Sequence, residues 1–140
     1  MKQDTQQALA TLDGGSFTCV VCKGDIRFSA TERGVKPLLN WLDSGTNLRG
    51  FCAADKVVGR ATAFLYVLLG VSEVYAHVMS RPAMEVLEQQ GISAQAGTVV
   101  SGIINRKGTG PCPFEAAVMG ISEPEEALAA IRAQMARMTK

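Results

Sequence analysis

The chain has 140 residues, 47% of them hydrophobic and 19% charged, which suits one compact domain over residues 1–140 that buries about two thirds of its unfolded surface. Fourteen basic side chains against thirteen acidic ones leave a formal net charge of +1, which argues against a dedicated nucleic-acid surface or an acidic tail. The opening Met1-Lys-Gln-Asp-Thr-Gln-Gln7 lacks the apolar core of a signal peptide, and no nonpolar run approaches the ~20 residues that span a bilayer, so a cytoplasmic protein without a membrane partner is expected.

Residues 4–12 form a short predicted helix with Ala8, Leu9 and Leu12 on one side, stopped by Asp13-Gly-Gly15. Residues 16–22 and 25–29 are rich in valine, isoleucine and phenylalanine and read as a hairpin turning at Lys23-Gly24. Cys19 and Cys22 fall inside its first strand. A Cys-x-x-Cys metal knuckle needs a turn that converges both sulfurs, whereas positions three apart on a strand face opposite ways, so both thiols are expected to be packing residues. Residues 34–43 carry Val35, Leu38, Leu39 and Leu42 at helical spacing, with Pro37 in the first turn.

Residues 48–52 are expected to be a strand feeding a buried helix that starts near Asp55 and stops at Gly70. Helical spacing then puts Asp55, Gly59, Thr62 and Tyr66 on one face, and Lys56, Arg60 and Ala63 on the next. A lysine in the first turn opposes the helix dipole, which marks Asp55 and Lys56 as candidate functional residues; the alternative is that Lys56 pairs with Asp55 or reaches water along its stem. Residues 72–79 form a further predicted strand, with Val74, Ala76 and Val78 alternating against Tyr75, His77 and Met79. His77, the single histidine, is read as a packing residue. Ser80 caps the next helix, which has Pro82 in its first turn and Gly91 beyond its end, and Ser80 and Arg81 at that helix start join the candidate ligand contacts.

One or two strands are expected over residues 93–104, bent at Gly102. The following Asn105-Arg-Lys-Gly-Thr-Gly-Pro-Cys-Pro-Phe-Glu115 is glycine-rich and basic and leads into a short helix over 113–119. Arg106, Gly108, Thr109 and Gly110 outline an anion cradle, with a tight turn needing glycine dihedrals as the alternative. Cys112 is the candidate nucleophile, placed as an N-cap where the helix dipole favours a thiolate, and Glu115 can orient it, share a metal or cap the turn; simple burial of the thiol is the competing reading. A last helix carries Ala127, Leu128, Ile131, Met135 and Met138 behind a Ser122-x-x-Glu125 capping box. Strands alternating with helices give an α/β sandwich.

Two motifs, Cys52-Ala-Ala-Asp-Lys-Val-Val-Gly-Arg-Ala61 and Asn105-Arg-Lys-Gly-Thr-Gly-Pro-Cys-Pro-Phe-Glu-Ala-Ala-Val118, resemble domain of unknown function 1893, a family of small prokaryotic proteins. The resemblance implies a cytidine deaminase-like fold, a three-layer α-β-α sandwich with a mixed central sheet. A zinc deaminase needs His-x-Glu and Pro-Cys-x-x-Cys. Aligning helix starts puts Ala54 and Lys56 at the first pair of places and Pro82-Ala-Met-Glu-Val86 at the second, so the zinc set is missing. The expectation is therefore a zinc-independent site with no cofactor, built from Asp55, Lys56 and Cys112 with Gly110 and Glu115. It would bind, and could turn over, a small anionic or nucleotide-like molecule, in a chain compatible with a homo-oligomer. The alternatives are a non-catalytic scaffold or oligomerisation domain, and a variant metal-dependent hydrolase using Cys52 and Cys112.

Overall fold

The computed structural model describes residues 1–105 and 107–138. Its elements are α1 (Gln3–Asp13), β1 (Cys19–Lys23), β2 (Ile26–Ala30), α2 (Lys36–Asp43), β3 (Cys52–Val58), α3 (Arg60–Leu69), β4 (Glu73–Ser80), α4 (Arg81–Gln89), β5 (Ser93–Val100), α5 (Pro113–Ala117) and α6 (Pro124–Met138). The five strands make one mixed sheet in the order β2-β1-β3-β4-β5. β1 runs antiparallel to both β2 and β3, while β3, β4 and β5 are parallel. Parallel neighbours cannot be joined by a hairpin, so α3 and α4 are the crossovers that return the chain to the start of the next strand.

The period of two along β1 divides the core. Cys19 and Val21 face the larger cluster with Phe64, Leu65 and Tyr66 of α3. Val20 and Cys22 face the other way, where Ala8 and Leu12 of α1 cover them together with Ala54. The two sulfurs diverge, as strand geometry requires. Helices flank both sides of the sheet: α1 lies against β1, β3 and β4 on one side, and α3 packs among α2, α4 and α6 on the other. α1 is tied down at each end. Near its start, Glu73 Oε1 accepts from the Thr5 hydroxyl at 2.5 Å and from the Lys2 amide at 2.8 Å. At its end, Asp13 Oδ1 lies 2.6 Å from His77 Nε2.

Ser80 caps α4 with its Oγ accepting from the Ala83 amide at 3.1 Å, and Gly70 ends α3 at φ +80°, the left-handed conformation that glycine adopts without penalty. In α6, Ala127 and Ile131 are fully buried, Leu128 and Met135 partly so, and Met138 is exposed. That helix begins at Pro124, which leaves Ser122 one residue too far out to be its cap. Among the described residues no helix is long and apolar enough to cross a membrane.

The main correction falls at Asp55 and Lys56. Both lie in β3, which runs to Val58, and the buried helix starts only at Arg60 after Gly59. Residues 48–51 connect α2 to this strand rather than forming one. β3 is a central strand with α1 over one face and α3 over the other, so its residues 52–55 are all buried and show no alternation. An apolar run of that kind reads the same in a buried strand and a buried helix.

Candidate functional site

Asp55 sits opposite Cys19 of β1 and Ala76 of β4, with only 7% of its surface exposed. Its Oδ2 accepts from the Tyr66 hydroxyl at 2.7 Å and its Oδ1 from the Val57 amide at 3.3 Å. Cys19 Sγ lies 3.0 Å from the Tyr66 oxygen. Because the tyrosine proton goes to Asp55, the thiol proton completes the chain Cys19 to Tyr66 to Asp55. Burial pushes the Asp55 carboxyl up to about 6, against the pull of the Tyr66 hydroxyl and the Val57 and Lys56 amides. Burial, reinforced by the Asp55 charge, pushes both Cys19 and Tyr66 well above their ordinary values. At neutral pH the negative charge of this chain therefore rests on Asp55.

The start of α3 is built from a distant segment. Glu115, on α5, presents Oε1 to the Arg60 amide at 2.7 Å and Oε2 to the Ala61 amide at 2.8 Å, satisfying two of the donors that a helix start leaves open. Gly59 makes this possible: a Cβ there would lie 2.5 Å from Glu115 Oε1 and 2.6 Å from its carboxyl carbon. Arg60 strengthens the join by donating to the Val118 carbonyl at 2.6 Å and to the Ile121 carbonyl, with its guanidinium 5.0 Å from the centre of the Phe64 ring. Of the three roles open to Glu115, capping is the one seen, and the helix capped is α3 rather than its own.

A cavity of about 520 Å³ opens at the C-terminal end of β3, beside the start of α3. This is where ligands collect in open α/β sheets. Asp55, Lys56 and Val57 come from β3, and Gly59, Ala61 and Thr62 from the turn into α3. Ser16 and Thr18 precede β1, while Thr31, Arg33, Gly34 and Val35 follow β2. Ile103, Cys112, Phe114 and Glu115 close the far side. Asp55, Lys56, Cys112 and Glu115 thus meet across some sixty residues of sequence, through strand ends and a loop. Arg33 and the hydroxyls of Thr18, Thr31 and Thr62 are lining groups that the sequence did not single out; the signal for Arg33 was only a basic residue before glycine at the approach to α2.

Other candidates lie elsewhere. Ser80 is buried under its own cap, and Ser80, Arg81, Gly108, Thr109 and Gly110 are not among the lining residues. Arg106 lies outside the described residues. The glycine-rich segment closes on itself: Asn105 Oδ1 accepts from the Thr109 amide, the Asn105 amide donates to Gly110 O, and Ile104 bridges Pro111. Gly108 adopts φ +70° there, a left-handed conformation that favours glycine. Cys112 is half-buried at the head of α5, which has only five residues and so lacks the length that gives a helix a substantial dipole. Cys52 lies at the opposite end of β3 with its sulfur 3.4 Å from Ser72 Oγ, away from Cys112 and the cavity. No group of three or more His, Cys, Asp or Glu side chains among the described residues is placed to hold a metal. With α3 starting at Arg60, Ala54 and Lys56 no longer fall at a helix start; Gly59, Arg60 and Ala61 do, and none offers a zinc ligand.

The family model for a domain of unknown function, DUF1893, matches residues 7–135. The chain belongs to that family. A crystal structure of a DUF1893 family protein from Thermotoga maritima superposes with a TM-score of 0.85 at 25% identity, covering 98% of this chain and 92% of that one. No curated protein matches the chain. The DUF1893 match takes in every element around the cavity, from the end of α1 to α5.

Proposed function

We propose that the cavity binds, and can turn over, a small anionic or nucleotide-like molecule at a zinc-independent site on a deaminase-like scaffold. The observation that carries this is the meeting of Lys56 and Arg33 with Asp55, Cys112 and several hydroxyls around one concavity of about 520 Å³, a size typical of small-molecule sites. Lys56 and Arg33 are exposed and form no ion pair among the described residues, so their charge is free for an anion. Thr31 supplies a neutral hydrogen-bonding group beside them, whereas the Thr18 hydroxyl is donated to the Ala30 and Glu32 carbonyls. Cys112 is the half-exposed thiol in reach of such a ligand, and Asp55 the group able to exchange a proton near neutral pH. Glu115 is assigned to structure, because both of its oxygens are engaged at α3.

Titration with inorganic phosphate, AMP and CMP, followed by amide NMR shifts, tests the proposal. Saturable shifts are expected at residues 31–34 and 55–62, weakened at least tenfold by Lys56→Met and by Arg33→Met. Absence of saturable binding by all three probes, or binding indifferent to both substitutions, would sink it.

A further inference from the structure

Asp55 is a buried carboxylate with no cationic partner among the described residues, yet it borders the cavity. A carboxylate offers about four acceptor positions. Tyr66 and the Val57 amide fill two of them, the second at a long 3.3 Å, while the nearby Lys56 amide donates to Thr18 O at 3.2 Å and the Cys19 thiol lies against Tyr66. A buried anion in this state gains from any donor that reaches it, and a charged donor gains most. The lysine and arginine that could supply one are placed otherwise: Lys56 lines the same cavity but is exposed and forms no ion pair with Asp55 among the described residues. Arg33 comes from the segment after β2 and is exposed. We propose that the floor of the cavity is an acceptor subsite, where ionised Asp55 takes a hydrogen bond from an ammonium or N–H group of the same ligand whose anionic end rests on Lys56 and Arg33.

The inference rests on the binding role proposed above and narrows the ligand to a small molecule with an anion at one end and a nitrogen donor at the other. Tyr66 is then a positioning residue. It holds Oδ2 from the α3 side, and Cys19 on β1 fixes Tyr66 in turn. The other charged or titratable groups bordering the space before Asp55 are Lys56, Arg33, Cys112 and Glu115. Glu115 is directed at the α3 amides, which leaves Asp55 as the acceptor available to a ligand.

The test uses a matched pair, propylphosphonate and 3-aminopropylphosphonate, titrated into the whole protein by NMR between pH 5 and 8. The ammonium group lowers the second ionisation of its own phosphonate, so each affinity is corrected with that probe's own phosphonate titration before the ratio is taken. At pH 8 the amine-bearing probe is expected to bind about tenfold tighter, the worth of one charge-assisted hydrogen bond. The ratio should fall toward one as pH drops below the range where Asp55 ionises, and should be near one at every pH in Asp55→Asn. Tyr66→Phe removes a donor that favours the ionised carboxyl, so the midpoint of the ratio should move to higher pH; a purely structural Tyr66 would weaken both probes and leave the midpoint in place. Equal affinities in the wild type, with both probes lost in Lys56→Met, would overturn the subsite and leave the anion site standing. Binding by neither probe would overturn both, and the wild-type ratio decides the matter even where a variant fails to fold.

Discussion

Replacing Asp55 with asparagine should change the protein's stability by an amount that depends on pH in a calculable way. The carboxyl ordinarily titrates at 3.8 and is raised by burial to about 6 in the folded chain. Between these values the unfolded chain has released the proton that the folded chain still holds, so the folded state binds more protons and stability falls as pH rises. Below 3.8 both states are protonated and the penalty is absent; above 6 both are ionised and it is present in full. The shift corresponds to about 3 kcal/mol, lost mostly between about pH 4 and 6. The asparagine side chain is near in shape to the carboxyl it replaces and does not titrate. At Glu73, desolvation is outweighed by the Thr5 hydroxyl and the Lys2 amide, so that carboxyl is held below its ordinary value and contributes with the opposite sign, but equally to both proteins. Urea unfolding of wild type and Asp55→Asn at half-unit steps from pH 3 to 8 therefore isolates the one group. The stability of Asp55→Asn relative to wild type should rise by about 3 kcal/mol across that span and level off above about pH 7. A difference that is flat with pH, or that shrinks as pH rises, would refute the placement of a burdened carboxylate at the cavity floor.

Glu115→Ala should destabilise the fold by about 2 kcal/mol, since it removes both acceptors from the start of α3. Gly59→Ala should cost about 1–2 kcal/mol in the wild type, because the new Cβ meets the Glu115 carboxylate, but under about 0.5 kcal/mol in a Glu115→Ala background; additive urea data would contradict this. The φ of Gly59 is −98°, so backbone strain does not contribute to that cost. Lys56→Met should leave stability within about 0.5 kcal/mol while weakening phosphate and nucleotide binding, and a loss of several kcal/mol would reveal a buried ion pair instead. Iodoacetamide should label Cys112 before the buried Cys19, Cys22 and Cys52, with AMP slowing it; peptide mass mapping showing equal labelling of all four would dispose of Cys112 as the accessible thiol.

Elements that announce themselves locally were legible in the sequence. The hairpin of β1 and β2, the Ser80 cap, the Gly70 stop and the divergence of Cys19 and Cys22 all follow from turn chemistry or from the period of two. The boundary between β3 and α3 was not legible, because the strand is covered on both faces and its apolar run continues into a helix that is buried in turn. Asp55 and Tyr66 illustrate the difference. Helical spacing puts them on one face of one helix, whereas they meet because β3 ends at Val58 and α3 folds back over it, bringing the hydroxyl to the carboxylate. The cap on α3 was out of reach for another reason. Glu115 and the Arg60 amide are 55 residues apart, and no local pattern encodes so distant a contact. Gly59 was the one trace of it, a glycine with an ordinary φ whose missing side chain leaves room for a carboxylate. Arg33, Thr18 and Thr31 reach the cavity from strand ends and loops, which carry no periodicity to betray what they face.

The join between Glu115 and α3 also couples the first turn of a buried helix to a segment more than fifty residues away. All five strands and α3 precede residues 112–121 in the chain, and the first amides of α3 face water until that segment docks. The cavity acquires its far wall only when that segment docks, and the same two hydrogen bonds that finish the helix close the cavity. Hydrogen exchange at the Arg60 and Ala61 amides would therefore report how often that wall swings away, since their protection depends on a carboxylate carried by the wall itself.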